Sequence, residues 1–125
     1  MEVRTIWDSA PHNAFTDLVR HQDRWWCVFR EAETHGSLDG AIRVITSTGG
    51  VSWESAATLQ SSDEDLRDPK LTITPDGRFM LSAAGRPHQP KPHTYQSYSW
   101  FSPDGRAWSD AVPVADPDYW LWRVT

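Results

Sequence analysis

The chain has 125 residues and a mass of 14.3 kDa, with 38% apolar and 23% charged residues, a net charge of −5 and a pI near 5.4. That is the balance of one folded domain, or of a piece of a larger one. Two lysines, Lys70 and Lys91, and no Lys/Arg-rich stretch argue against a nucleic-acid partner, and no apolar run approaches the roughly 20 residues of a membrane helix. The N-terminal segment lacks the apolar core of a signal peptide, so the chain as written reads as cytoplasmic. Cys27, the single cysteine, excludes an internal disulfide and a Cys-based zinc cage. It lies in the apolar run Trp25–Phe29 and reads as packed core. Eight tryptophans against few leucines and isoleucines point to a core of aromatic and β-branched side chains, which favours sheet.

In chain order, Phe15–His21 reads as a strand, followed by the polar turn Gln22-Asp23-Arg24 and a second strand, Trp25–Glu31. A Gly-containing loop (32–40) leads to Ala41–Ser47, the turn Thr48-Gly49-Gly50, and a fourth strand, Val51–Leu59. The closest approach to a helix signal is Ser61–Leu66, too short and too acidic for more than one turn, and Asp63-Glu64-Asp65 within it reads as a solvated loop. The pattern then recurs: Pro69–Thr74, the turn Pro75-Asp76-Gly77, Arg78–Ala84, a Pro/His-rich loop (85–93), Thr94–Phe101, the turn Ser102–Gly105, and Arg106–Val114. A third group opens at Asp118–Thr125.

The period is explicit. Ser47–Trp53 aligns with Ser102–Trp108 at an offset of 55 residues, and Asp17 and Asp68, each near the start of a first strand, are 51 apart. Four strands per roughly 50 residues is the arithmetic of a β-propeller blade. An immunoglobulin-like sandwich holds about as many strands and is the alternative. In the Ser-x-Asp-Gly-x-x-Trp turn, the Asp accepts backbone hydrogen bonds, the Gly supplies a positive φ and the Trp packs between sheets. The first copy has Gly49 where the second has Asp104, so it is expected to be the weaker turn.

These turns resemble the Asp-box (BNR) repeats of the sialidase, or neuraminidase, family of β-propellers. The stretches His12–Leu18, Trp26–Glu31 and Leu66–Lys70 are similar to proteins of the exo-α-sialidase type. The resemblance implies an all-β fold: two four-stranded antiparallel blades plus one strand of a six-bladed propeller. The first blade covers about 15–59, the second about 67–114, and the third starts at 118–125. It also implies that the chain is the N-terminal part of such a domain.

In an up-and-down blade the tight turns share one rim and the long loops the other. The long-loop rim is expected to collect Arg30, Glu31, His35, Asp39, Arg67, Asp68, His88, His93, Asp116 and Asp118, and binding sites sit on such rims. The family's chemistry uses an arginine clamp for the substrate carboxylate, a carboxylic acid, and a Glu-activated Tyr nucleophile. Carried over by position, Asp39 falls where the family places its general acid, with Arg30, Glu31, Arg67 and Asp68 as further catalytic candidates. Asp17, His35, His88, Trp120 and Arg123 are the substrate-binding candidates. The arginine of the family's Phe-Arg-Ile-Pro motif is replaced by Ala14.

Each candidate has an architectural alternative. Arg30 and Glu31 end an apolar strand, where a salt bridge between blades serves as well as a ligand contact. Asp68 before Pro69 orders the entry into a strand. Asp39-Gly40 reads equally as a turn. Trp120 and Trp122 alternate as packing residues do. His35, His88 and His93 lack metal-ligand spacing, so no metal or cofactor is expected. The implied partner is a glycan, as substrate for a glycoside hydrolase or as ligand of a non-catalytic carbohydrate-binding or protein-interaction module. Open blade faces imply self-association, with three copies of two blades as one closed arrangement.

Overall fold

The computed structural model describes residues 2–123. Among them are eight strands: β1 (His12–His21), β2 (Arg24–Ala32), β3 (Ala41–Ser47), β4 (Glu54–Leu59), β5 (Glu64–Ile73), β6 (Phe79–Pro87), β7 (Gln96–Ser102) and β8 (Val112–Val114). They form two antiparallel four-stranded sheets in sequential order, β1-β2-β3-β4 and β5-β6-β7-β8. No helix occurs among the described residues. The fold is all-β, as the composition and turn spacing imply.

Several boundaries move. β5 starts at Glu64, so the acidic run 63–65 is the head of a strand rather than a solvated loop, with Glu64 and Asp65 both buried. The outer strands are shorter than the hydropathy pattern suggests, because β4 begins at Glu54 and β8 keeps three residues. Residues 118–123 carry no strand, and Val124 and Thr125, the end of the expected third group, lie outside the described residues.

The inner strands β1 and β5 share an irregularity. Register shifts between Ala14 and Asp17 in β1 and between Arg67 and Lys70 in β5. Two residues there oppose one, which is a bulge. Its first residue is left-handed in each case: Phe15 at φ 62° and Asp68 at φ 50°. The structural offset of the inner strands is therefore 53, and Asp68 corresponds to Phe15. Asp17, matched to Asp68 in the sequence, corresponds instead to Lys70.

Applied across each sheet, this register makes Cys27 and Ile45 the counterparts of Leu81 and Trp100. The counterparts do not face each other. Leu81 and Trp100 pack with Trp26, Val28, Ile42 and Val44, which project from the opposite face of the first sheet. The sheets stack front to back. The other face of the first sheet buries Cys27, Phe29 and Ile45 under Trp7 and Trp53. There burial, helped by the charge of Asp17, pushes the Cys27 thiol up to about 11, so it stays protonated and inert. The far face of the second sheet buries Ser82, Ser97 and Ser99. The chain's own segment 119–121 covers part of that face, with Ser97 Oγ donating to Tyr119 O (2.8 Å) and accepting from Leu121 N (3.3 Å).

The two Ser…Gly…Trp turns are superposable in their bonding. Ser47 Oγ accepts from Gly50 N (2.8 Å) and Trp53 Nε1 donates to Gly50 O (3.1 Å). Ser102 and Trp108 make the same bonds to Gly105, at the same lengths. In the second turn Asp104 Oδ1 also accepts from Arg106 N (2.8 Å) and Ala107 N (2.9 Å). These bonds hold its carboxyl below the ordinary range.

Candidate functional site

The ends of β1, β3 and β5 opposite the tight turns gather five of the ten candidate residues, Arg30, Asp39, Arg67, Asp68 and His35. Their arrangement starts from Arg30. Alternation along β2 points Arg30 toward the second sheet and Glu31 away from it, so the two neighbours serve different ends. Arg30 is fully buried and meets the equally buried Asp65 through Nε (3.0 Å) and Nη2 (2.9 Å). Its remaining donors reach Thr34 O (3.1 Å) and Ser37 O (2.8 Å), in the loop between β2 and β3. Arg67 Nε donates to the second oxygen of Asp65, and Nη2 to Ser37 O (3.2 Å). A buried ion pair survives only with its remaining donors and acceptors satisfied, and here two arginines, one carboxylate and three backbone groups close the set.

Gly40 is the tightest point. Its N–H donates to Asp65 Oδ1 (3.0 Å) and its carbonyl accepts from Leu66 N (3.0 Å). A Cβ there would come within 2.0 Å of Asp65 Oδ1 and 2.8 Å of Leu66 O, so glycine is demanded by close approach. The loop 33–40 is thereby fixed to β5 of the neighbouring sheet.

Asp39, expected as a general acid, is an exposed member of this loop whose Oδ2 accepts from Glu33 N (3.0 Å). Its hydrogen bonds, Ser37 foremost, hold its carboxyl below the ordinary range. Asp68 is the opposite case. It is half-buried at the β5 bulge, and burial pushes its carboxyl up against the pull of Lys70, Arg67, Arg30 and His35. His35 packs edge-on against His12 and also meets Phe15, with ring centroids 5.6 and 5.5 Å apart. Asp68, Lys70, Phe15 and His35 thus belong to one polar and aromatic patch around the two bulges.

The remaining candidates sit elsewhere. Glu31 pairs with Arg43 (2.8 Å) and accepts from Trp7 Nε1 (2.7 Å), pinning the N-terminal segment to the first sheet's outer face. Asp17 Oδ2 accepts from Leu71 N (3.0 Å), tying the inner strands together, and its Oδ1 meets Arg123 (3.2 Å). His88 Nδ1 meets Ser62 O (3.1 Å), fastening the β6–β7 loop to the β4–β5 connection. Trp120 meets Tyr95 edge-on and Trp122 at a tilt, with ring centroids 4.8 and 5.9 Å apart. Asp118 accepts from Thr94 N and Tyr95 N.

Sequence reasoning missed Asp65, Lys70 and Ser37. Asp65 stood at the end of an acidic run, next to the buried Leu66, with nothing local to set it apart from Asp63 and Glu64. Among the described residues no group of three His, Cys, Asp or Glu side chains is placed to hold a metal ion. The chain matches no protein-family model and no curated protein.

Proposed function

We propose that the two sheets are consecutive blades of a sialidase-like β-propeller whose long-loop rim is directed at glycans, and that this chain binds a glycan without hydrolysing it. The observation that carries the blade reading is the front-to-back stacking. A sandwich buries one face of each sheet against the other, whereas blades around an axis each bury both faces. The repeated Asp-box turn supports the same reading. Two blades do not close a ring, so the reading places further blades beside these, and exposed sheet faces associate until a ring closes. Light scattering tests that corollary; a clean monomer at high concentration contradicts it.

Binding without turnover follows from the state of the candidate groups. A general acid works with a carboxyl raised toward neutrality; Asp39, in the position the resemblance gives the general acid, is held low, and Asp68, whose carboxyl burial raises, sits at the β5 bulge and not in that position. Arg30 and Arg67 are committed to Asp65, and Ala14 offers no guanidinium. Asp68 and Lys70, beside His35 and Phe15, remain to contact sugar hydroxyls. Glycan-array binding and turnover of aryl sialosides and other aryl glycosides test this. Glycan binding that falls in Lys70→Ala and Asp68→Asn, with no hydrolysis, is the expected result. Hydrolysis lost in Asp39→Asn would overturn the non-catalytic reading, and absence of any rim-dependent glycan binding would overturn the glycan assignment.

A further inference from the structure

A second polar site lies on the outer half of the molecule. Where the chain reaches β5, Asp65 turns to Arg30, while Glu64 before it turns into a groove of about 640 Å³ between the outer strands of the two sheets. One wall is the end of β4 and residues 60–63; the other carries Tyr98, Trp100 and Trp108. Lys91 stands at the mouth.

The Glu64 side chain is 7% exposed. It occupies space left by Gly85, where a Cβ would fall 2.5 Å from Glu64 Oε2 and 2.9 Å from the Tyr98 ring. Tyr98 lies beside this carboxylate, and burial together with Glu64 pushes the phenol up to about 12, so it keeps its proton. Oε1 is buried and has no hydrogen-bond partner, so a ligand reaches it by displacing a neighbouring side chain. The nearest cation, Lys91 Nζ, is 3.8 Å away, beyond hydrogen-bond reach. A buried carboxylate oxygen without a donor is costly, so this atom marks a place built to receive one.

The chemistry of the gap selects the ligand. A second ammonium would stand against Lys91, and an anion against Glu64. A hydroxyl is both acceptor and donor, so one hydroxyl can take a hydrogen bond from Lys91 Nζ and give one to Glu64 Oε1. The Trp108 indole N–H is already spent on Gly105 O (3.1 Å), so its half-buried ring offers only an apolar face, suited to the C–H face of a pyranose. We infer that the groove is a binding site for a neutral saccharide unit, anchored by a hydroxyl bridging Lys91 and Glu64 with the sugar ring against Trp108. This inference stands on groove geometry and does not depend on the reading of the inner-strand rim.

The test uses the full chain, titrated with methyl glycosides of glucose, galactose, mannose and N-acetylglucosamine, and with ethylammonium and acetate as charged probes. Binding is followed by calorimetry and by NMR of the Trp indole protons. The expected result is saturable binding of at least one glycoside at about millimolar Kd, with the Trp108 signal shifted. Lys91→Ala, at a half-exposed position that tolerates change, should weaken it about fivefold or more, and Glu64→Gln likewise. No saturable glycoside binding, tighter binding of either charged probe, or glycoside binding unaffected by Lys91→Ala would overturn the proposal. Weakening by Lys91→Ala with no effect of Lys70→Ala separates this groove from the rim.

Discussion

The two sheets share strand order, bulges and turns, yet their corresponding faces are built for different neighbours. The face of the first sheet that meets the second presents Trp26, Val28, Ile42 and Val44. The corresponding face of the second presents Met80, Ser82, Ser97 and Ser99. At the bulge the contrast becomes an exchange. Ala14 opposes Arg30 in the first sheet, and Arg67 opposes Ala84 in the second. Because of that exchange both guanidinium groups point into the same seam, where Asp65 receives them. A repeat supplies the scaffold; the departures from the repeat make the joint.

The largest expected effect is at that joint. Asp65→Ala leaves Arg30 buried and unpaired and should cost about 3–5 kcal/mol in urea unfolding. The counterpart of Asp65 in the first sheet is His12, which bonds nothing comparable, and His12→Ala should cost no more than about 1 kcal/mol. The paired replacement Arg30→Met with Asp65→Leu should recover most of the Asp65→Ala loss. Equal losses at Asp65 and His12 would erase the distinction drawn between the sheets.

Next are the turn glycines. Gly50 and Gly105 both lie at positive φ, 75° and 74°, so Ala should cost about 1–2 kcal/mol at either. At Gly105 a Cβ would also stand 2.4 Å from the Trp26 ring, while at Gly50 the nearest atom is 3.8 Å away. Gly105→Ala should therefore be clearly the more damaging in thermal melts.

A smaller effect separates the turns by their carboxylate. Asp104→Ala should cost about 1 kcal/mol, because solvent screening at this exposed carboxylate cuts its charge-assisted hydrogen bonds below their usual worth. Gly49 has nothing within 4 Å of a Cβ, so Gly49→Asp should add a few tenths of a kcal/mol by completing the first turn. A loss on adding that carboxylate would show that the turns are less alike than their shared bonds indicate. The smallest effect is in pH. Asp104 is held below its ordinary value, so its contribution is present above the unfolded value of about 3.9 and fades as pH falls through the folded value. The gap between wild type and Asp104→Ala should close at the acid end of a stability–pH series.

Much of the fold was legible. Every expected strand of the first two groups has an observed counterpart, because alternation and Gly-containing turns are local signals. The boundaries that moved depend on tertiary contact. Glu64–Asp68 became strand because Asp65 finds Arg30 and the Leu66 amide finds Gly40 across the sheets, partners 35 and 26 residues away that no window reveals. The Asp17–Asp68 match failed by two residues because the bulge, which sets the true register, leaves no sharp mark in sequence. That Arg30, Arg67 and Asp39 come near one another was legible, but not what each of them bonds. Arg30 as joint or ligand was an open choice, and only the position of Asp65 decides it.

The central claim is that the sheets stack front to back, and interproton contacts in solution test it most directly. Strong contacts are expected from the Trp26 ring to Phe79, whose ring centroid is 4.8 Å away, and to Gly105, with the Ile45 side chain meeting Cys27, Phe29, Trp7 and Trp53 and no residue of the second sheet. Contacts from Ile45 or Cys27 to Leu81 or Trp100 would mean that corresponding faces meet, and would contradict it.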